Sequence, residues 1–377
     1  MKHRLLDVLQ SPSDGSPLRV ESIQNQRPAP FVEKLTRVQC CQYCSFRNCA
    51  VAGSRLTPAD CMECYSNEIL EAQLVSDSGD RYSVTGGIPR LLSNSTAEFV
   101  RKNRQSFSLE WKYFEFGERN WGQSIETRKE LFLKALGEKP QDLRGKLTFD
   151  AGCGSGLLSI EMANSFGMEV VALDLATGVE KAYSRNSNPF VHFIQGSVLE
   201  PPLKNQSADF VYCAGVLVAI PDTKAGFETL TRCVKRGGKY VVWLYHPLEY
   251  HRRTGDYVRE VLYNWIREHV TSRLPIRLQE IFYLALLPLY FLKRWTARLF
   301  GKANENRTWR EKMQGWVDHF SPMYMNRFSE VEAAGWYRDQ HFKQITTAYT
   351  EQYGFAIRGT KPPIPVEVKK RELAVAG

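Results

Sequence analysis

The chain has 377 residues, 43% of them hydrophobic, with 50 Lys and Arg against 41 Asp and Glu for a net charge of +9. That length and apolar content supply a substantial core, which excludes a disordered chain and predicts one catalytic domain with smaller additions. The opening Met1-Lys-His-Arg-Leu-Leu-Asp-Val8 lacks the continuous apolar run of a secretory signal, so a cytoplasmic protein is expected, with peripheral membrane contact as the alternative.

Residues 1–95 are turn-rich, with a strand-like Arg81-Tyr-Ser-Val-Thr85 before Gly86-Gly87, and read as a small separate module. Six of the nine cysteines fall between Cys40 and Cys64. In a reducing compartment such clustering favours metal ligation over disulfides. Cys41-x2-Cys44, sixteen residues, then Cys61-x2-Cys64 fits the paired knuckles of a tetrahedral zinc site. Cys40 and Cys49 are extra thiols, so a ligand set that includes Cys49, an iron–sulfur cluster and unligated thiols all stay open.

Residues 96–145 carry a helical pattern with aromatics at Phe107, Trp111, Phe114, Phe116 and Trp121, a helical cap. From 146 to 246 short β-like runs alternate with helical segments: Lys146–Ala151, Gly156–Phe166, Glu169–Asp174, Val191–Gln195, Ala208–Cys213 and Lys239–Tyr245. This alternation predicts an α/β fold, a Rossmann-like, doubly wound, mostly parallel sheet with its binding crevice beyond the carboxyl ends of the strands. Residues 247–317 break the pattern with long helices. Thirteen Lys and Arg against seven Asp and Glu between Pro247 and Lys312 make this a basic helical insertion, read as a lid. Residues 318–377 hold the last two strands, His341–Thr350 and Tyr353–Thr360, and a tail expected to be loose.

The turn after the first core strand, Asp150-Ala-Gly152-Cys-Gly154-Ser-Gly156, lets backbone approach a ligand and opens a helix whose free N–H groups suit a carboxylate or phosphate. A dinucleotide fingerprint needs its third glycine where Leu157 stands. Asp174 ends the next strand, where a carboxylate can accept from both ribose hydroxyls.

Phe149-Asp-Ala-Gly-Cys-Gly-Ser-Gly156, Val170-Val-Ala-Leu-Asp174, Ala208-Asp-Phe-Val-Tyr-Cys-Ala-Gly-Val216 and Arg236-Gly-Gly-Lys-Tyr-Val-Val-Trp243 together resemble successive motifs of the class I S-adenosylmethionine-dependent methyltransferases, over roughly residues 105 to 362. The resemblance implies S-adenosyl-L-methionine as cofactor. It places Asp150, Gly152, Gly154 and Gly156 at the methionine end, Asp174 on the ribose, Ser197 and Val198 beside the adenine, and Cys213 and Ala214 beside the sulfonium. Ser197 departs from the acidic residue common there.

Methyl transfer is a direct displacement in which positioning supplies much of the acceleration, and a base is needed only for an unactivated hydroxyl or protonated nitrogen. Where related enzymes often carry a His pair, this chain reads Gly215-Val-Leu-Val-Ala-Ile220. His246 is therefore the first candidate base, followed by Tyr245 and His251. Each also reads as an ordinary loop or wall residue.

Leu5-Leu-Asp-Val-Leu-Gln-Ser-Pro-Ser-Asp-Gly15 and Leu74–Leu92 resemble the zinc-ribbon activators that partner tRNA, rRNA and protein methyltransferases, with Ser11, Ser13, Ser76 and Ser78 where that family has cysteines. Loss of the ribbon's own metal is implied. Ile281–Leu292, followed by Lys293, Arg294, Trp295 and Arg298, reads either as a membrane-surface segment over 281–298 or as a buried lid. Asp318-His-Phe-Ser-Pro-Met-Tyr324 is similar to a segment of bacterial methyltransferases with a fused ribbon, which brings His319 and Tyr324 into view. The favoured acceptor is a small molecule or a carrier-linked glycan or lipid; RNA and a non-catalytic scaffold are the competing readings.

Overall fold

The computed structural model describes residues 1–29, 31, 33–93, 98–115, 117, 119–300 and 308–363. Phe116 and the tail beyond 363 lie outside the described residues.

A short 3-10 turn, His3–Asp7, buries Leu5 and Leu6 and precedes β1 (Leu18–Pro28). The chain then makes a cysteine-bearing excursion through a two-residue hairpin, β2 (Tyr43–Cys44) and β3 (Cys49–Ala50), and helix α1 (Pro58–Tyr65). Pro58 suits the first turn of α1 because its missing N–H has no helical partner there, and Thr57 and Asp60 close a capping box. β4 (Asn67–Ser76) returns antiparallel to β1, and β5 (Arg81–Thr85) and β6 (Ile88–Leu91) extend that sheet.

Two helices, α2 (Glu98–Tyr113) and α3 (Ile125–Leu136), lead to five consecutive buried residues forming β7 (Leu147–Ala151). Such an unbroken run of buried residues marks a strand covered on both faces. Then follow α4 (Leu157–Phe166), β8 (Glu169–Asp174), α5 (Gly178–Arg185), β9 (Val191–Gly196), β10 (Ala208–Ala214), α6 (Thr223–Thr231) and β11 (Val234–Tyr245). Next come α7 (His251–Thr254), α8 (Tyr257–His269), α9 (Ile276–Leu299) and α10 (Trp309–Phe320), and the chain closes with α11 (Glu330–Asp339), β12 (Lys343–Thr350) and β13 (Gly354–Thr360).

Eleven strands form one sheet in the order β1-β4-β5-β6-β9-β8-β7-β10-β11-β13-β12. From β9 to β11 the neighbours are parallel, and β13 runs antiparallel between β11 and β12. The boundary read near residue 95 is crossed by hydrogen bonds: β6 pairs parallel with β9, Arg90 opposite Gln195 and Leu91 opposite Gly196. One face of the sheet packs α3, α4 and α5; the other packs the His3–Asp7 turn, α6 and α11. The helices after β11 share a smaller core with α2, built on Leu109, Tyr283, Met313 and Val317.

The N-terminal turn is also tied to β8 by buried charge. Arg4 reaches Asp7 at 2.7 Å and Glu169 at 3.1 Å, and Glu169 also meets His192 at 3.2 Å. Burial alone would raise the Glu169 carboxyl, but Arg4 and His192 outweigh it and hold it down to about 2. A carboxylate depressed on folding stabilises above its ordinary range and loses that contribution as pH falls toward its folded value. Glu169→Gln is therefore expected to lower stability at pH 7 by up to about 3 kcal/mol, and the gap to the native chain should narrow below about pH 4.5. Urea titrations across that range check both parts.

Candidate active site

Strand order reverses between β7 and β10, which opens a crevice above their carboxyl ends. The turn Asp150–Gly156 fills its floor. Gly152, Gly154 and Gly156 have φ of 96°, 57° and 69°, the left-handed region that side chains avoid. A Cβ on Gly152 would stand 2.1 Å from Val216, and one on Gly154 would stand 2.3 Å from the Trp111 ring. Gly156 caps α4, whose first N–H groups face the turn.

Both acids predicted here are buried and differently held. Asp150 accepts from the Ser159 hydroxyl at 2.5 Å, and burial pushes its carboxyl up to about 6. Asp174 accepts from the Gly154 and Ala176 amides, each at 2.8 Å, while burial raises it against those bonds. Two lone-pair directions remain on its oxygens, enough for a pair of ribose hydroxyls. A glycine cradle, a helix N-terminus and a carboxylate at the neighbouring strand end fit an S-adenosyl ligand. Ser197 follows β9 and accepts from Leu199 N, with Val198 buried beside it. Cys213 is buried at the end of β10 and Ala214 is half-buried next to it.

Opposite the turn stands a group absent from the expectations. Ser155 meets Asn120 Nδ2 at 3.3 Å, Asn120 Oδ1 accepts from Gln314 at 2.6 Å, and Gln314 reaches Glu110 at 3.4 Å. Ser155, Asn120, Gln314 and Glu110 are all buried. This chain of contacts ties the glycine turn to α2 and α10. Trp121 also donates to Glu110. It does so from a left-handed backbone (φ 50°) in a turn closed by reciprocal Asn120 and Gln123 bonds of 3.0 Å.

Glu110 faces Asp318 of α10, and its carboxyl is raised well above the ordinary range, by burial first and by the Asp318 charge second. Burial raises Asp318 too, opposed by His319 and by a hydrogen bond from Tyr245. Glu110, Asp318 and Tyr245 thus form a carboxyl pair with a phenol at the carboxyl end of β11. Of these the sequence motifs single out only Tyr245. Nothing in the sequence marks Glu110, which lies on the same face of α2 as Ser106 and Asn103 and is set apart only by its burial.

His246 is placed elsewhere. Successive residues of a strand point to opposite faces, and His246 lies buried against Tyr250, rings 3.8 Å apart, and Phe355. Burial lowers its pKa, which keeps the imidazole neutral. His246→Asn is expected to leave turnover within about two-fold of the native chain, read by steady-state kinetics. His251 is buried beside Arg327, 3.3 Å away, and His319 sits 3.7 Å from Glu260. Tyr324 packs edge-on against Phe99.

Residues 149–242 match the family model described as a methyltransferase domain. Residues 149–242 are methyltransferase-like. The chain is 34% identical over 113 residues to a ubiquinone biosynthesis O-methyltransferase of Klebsiella pneumoniae, covering 29% of this chain and 46% of that protein. It is 31% identical over 112 residues to the Cronobacter sakazakii protein of the same name, with the same coverage. The chain spans about half the length of these curated relatives. Among solved structures, magnesium protoporphyrin IX methyltransferase of Synechocystis with bound SAH aligns at a TM-score of 0.41 and 16% identity, over 70% of this chain and all of that one.

Outside the methyltransferase-like region, the expected zinc ligands Cys41, Cys44, Cys61 and Cys64 are not gathered into a metal geometry. Among the described residues no group of three or more His, Cys, Asp or Glu is arranged to hold a metal. Cys44, Cys61 and Cys64 are buried, but Cys41 faces solvent. The Asp7 carboxylate accepts from the Cys41, Gln42 and Tyr43 amides at 2.7, 2.9 and 2.8 Å, and Cys40 is buried next to them. At the ribbon positions, Ser11 and Ser13 reach the Tyr82 hydroxyl at 3.1 and 2.9 Å, and Ser76 meets Ser78 at 2.7 Å.

Proposed function

We propose that this chain is an S-adenosylmethionine-dependent methyltransferase acting by direct displacement on a hydroxyl of a small-molecule or carrier-linked glycan or lipid acceptor. The observation that carries the reading is the buried network joining the glycine turn to the Glu110–Asp318–Tyr245 group across the crevice. The relatives' names, ubiquinone biosynthesis O-methyltransferase, speak of an oxygen acceptor and support the choice of hydroxyl.

Bound at the turn, the cofactor supplies a methyl group on a good leaving group. The chain's own residues must bring the acceptor oxygen in line and remove its proton. Tyr245 and His319 favour the charged form of Asp318 against its burial, whereas the Asp318 charge adds to burial in holding the proton on Glu110, so Asp318 takes the role of proton acceptor. As the new O–C bond forms, the acceptor proton passes to the Asp318 carboxylate. Trp111, edge-on to Phe114 and Trp121, walls the same space and keeps water out.

Purified chain should bind S-adenosylhomocysteine in a calorimeter and pass labelled methyl into a small-molecule or lipid fraction of cell extract. Label confined to RNA, or absence of any binding of that ligand, overturns the reading.

A further inference from the structure

Helix α8 is built inside out. Its inner side buries two charged residues, Glu260 at 1% and Arg267 at 2% exposure, while its outer side presents Val258, Val261, Leu262 and Trp265 to solvent. Those four recur at i, i+3, i+4 and i+7, one continuous stripe. Glu260 is satisfied by Arg327 at 3.0 Å, and Arg267 by the Met323 carbonyl at 3.1 Å and by Glu268 at 3.0 Å. The polar residues therefore hold the helix to the protein and leave the apolar stripe outward.

Helix α9 repeats the arrangement. Gln279, Tyr283, Leu287 and Tyr290 lie on the side against α2 and α10, and Tyr283 is fully buried there. The opposite side shows Leu278, Ile281, Leu289, Leu292 and Leu299, with Ile281, Leu289 and Leu299 each more than 60% exposed. Helix α9 continues through Pro288, so the stripe is unbroken over its 24 residues. Apolar area on this scale exceeds the scattered apolar residues of an ordinary surface.

Charge specifies what covers this face. Between residues 269 and 300 the chain has five Lys and Arg and one acid, Glu280, which is engaged by Lys112 at 2.6 Å and Tyr113 at 2.5 Å. Arg277 and Lys293, both exposed, lie on either side of the α9 stripe. An apolar stripe flanked by basic groups matches a bilayer edge, acyl chains against the leucines and phosphates at the basic side chains. Among the described residues no helix is long and apolar enough to cross a membrane, so the helices lie along its surface.

We infer that the outer faces of α8 and α9 dock on an anionic phospholipid membrane, with Arg277 and Lys293 receiving headgroup phosphates. The inference does not depend on methyl transfer and is tested without it. The full chain is floated with vesicles of phosphatidylcholine alone and with vesicles containing phosphatidylglycerol. Binding to the anionic vesicles is expected. It should fall at least ten-fold in Leu289→Glu/Leu299→Glu and, by loss of anionic preference, in Arg277→Ala/Lys293→Ala. Both variants should melt within about 2 °C of the native chain, because surface substitutions cost little.

No binding to either vesicle overturns the inference. So does a dimer in sedimentation that the leucine variant dissociates, which gives the face to a second copy. A large loss of melting temperature in that variant, without vesicle binding by the native chain, gives it to the chain itself.

Discussion

Asp318→Asn is expected to lower kcat by roughly 10²- to 10⁴-fold, the usual worth of a positioned general base, with S-adenosylhomocysteine affinity held within about two-fold. The amide keeps the size and the acceptor oxygen that Tyr245 addresses, so the buried site stays filled. It cannot take a proton. Calorimetry and single-turnover kinetics on the same preparation separate the two quantities, and an unchanged single-turnover rate would remove Asp318 from the chemistry.

The partner substitution Glu110→Gln has a different signature. Glu110 retains its proton beside the Asp318 charge, so a neutral amide in its place leaves the charge around Asp318 unchanged. The acid limb of the kcat profile is then expected to stay where it is, with a plateau loss smaller than that of Asp318→Asn. A limb that moves to lower pH would show that Glu110 is ionised beside Asp318 in the native chain.

How far these roles were legible depended on whether the chain alone or its folding brought the residues together. The strands from β7 onward were readable almost residue by residue, because runs such as Glu169–Asp174 and Ala208–Ala214 are covered on both faces and carry their apolar character in sequence. Strand β1 was not: Leu-Arg-Val-Glu-Ser-Ile-Gln-Asn-Gln-Arg-Pro buries only its first residue, so nothing in its pattern separates it from a loop. The β6–β9 pairing was equally silent, since two residues of register decide it.

In the site, Asp150, Asp174 and the three glycines belong to local units of strand, turn and helix, and those units have sequence signatures. Glu110 and Asp318 are 208 positions apart and meet only because α2 and α10 share the core of Leu109, Met313 and Val317. A lone Glu in a helix carries no such signal, and only its burial gives it away. His246 misled for the complementary reason. It stands one residue past the crevice face, and a single step along a strand reverses the side chain.

The glycine turn gives the other large effect. Gly152→Ala is expected to weaken S-adenosylhomocysteine binding by at least about 100-fold, or some 2.7 kcal/mol. Two costs combine at this position. A side chain in a left-handed backbone loses roughly 1–2 kcal/mol, and its Cβ would stand 2.1 Å from the Val216 methyl, so the turn or the segment after β10 must shift. Either movement disturbs the floor on which the ligand's carboxylate meets the α4 N-terminus. Gly237 separates the two costs: its φ is 81°, with nothing within 4 Å of an added Cβ. Gly237→Ala should therefore show the backbone cost alone, as a loss of stability with ligand affinity unchanged. Adding Val216→Ala to Gly152→Ala should recover part of the lost affinity if the contact dominates. Calorimetric titration of the three variants decides this, and equal affinity of Gly152→Ala and native chain would take the turn out of the binding site.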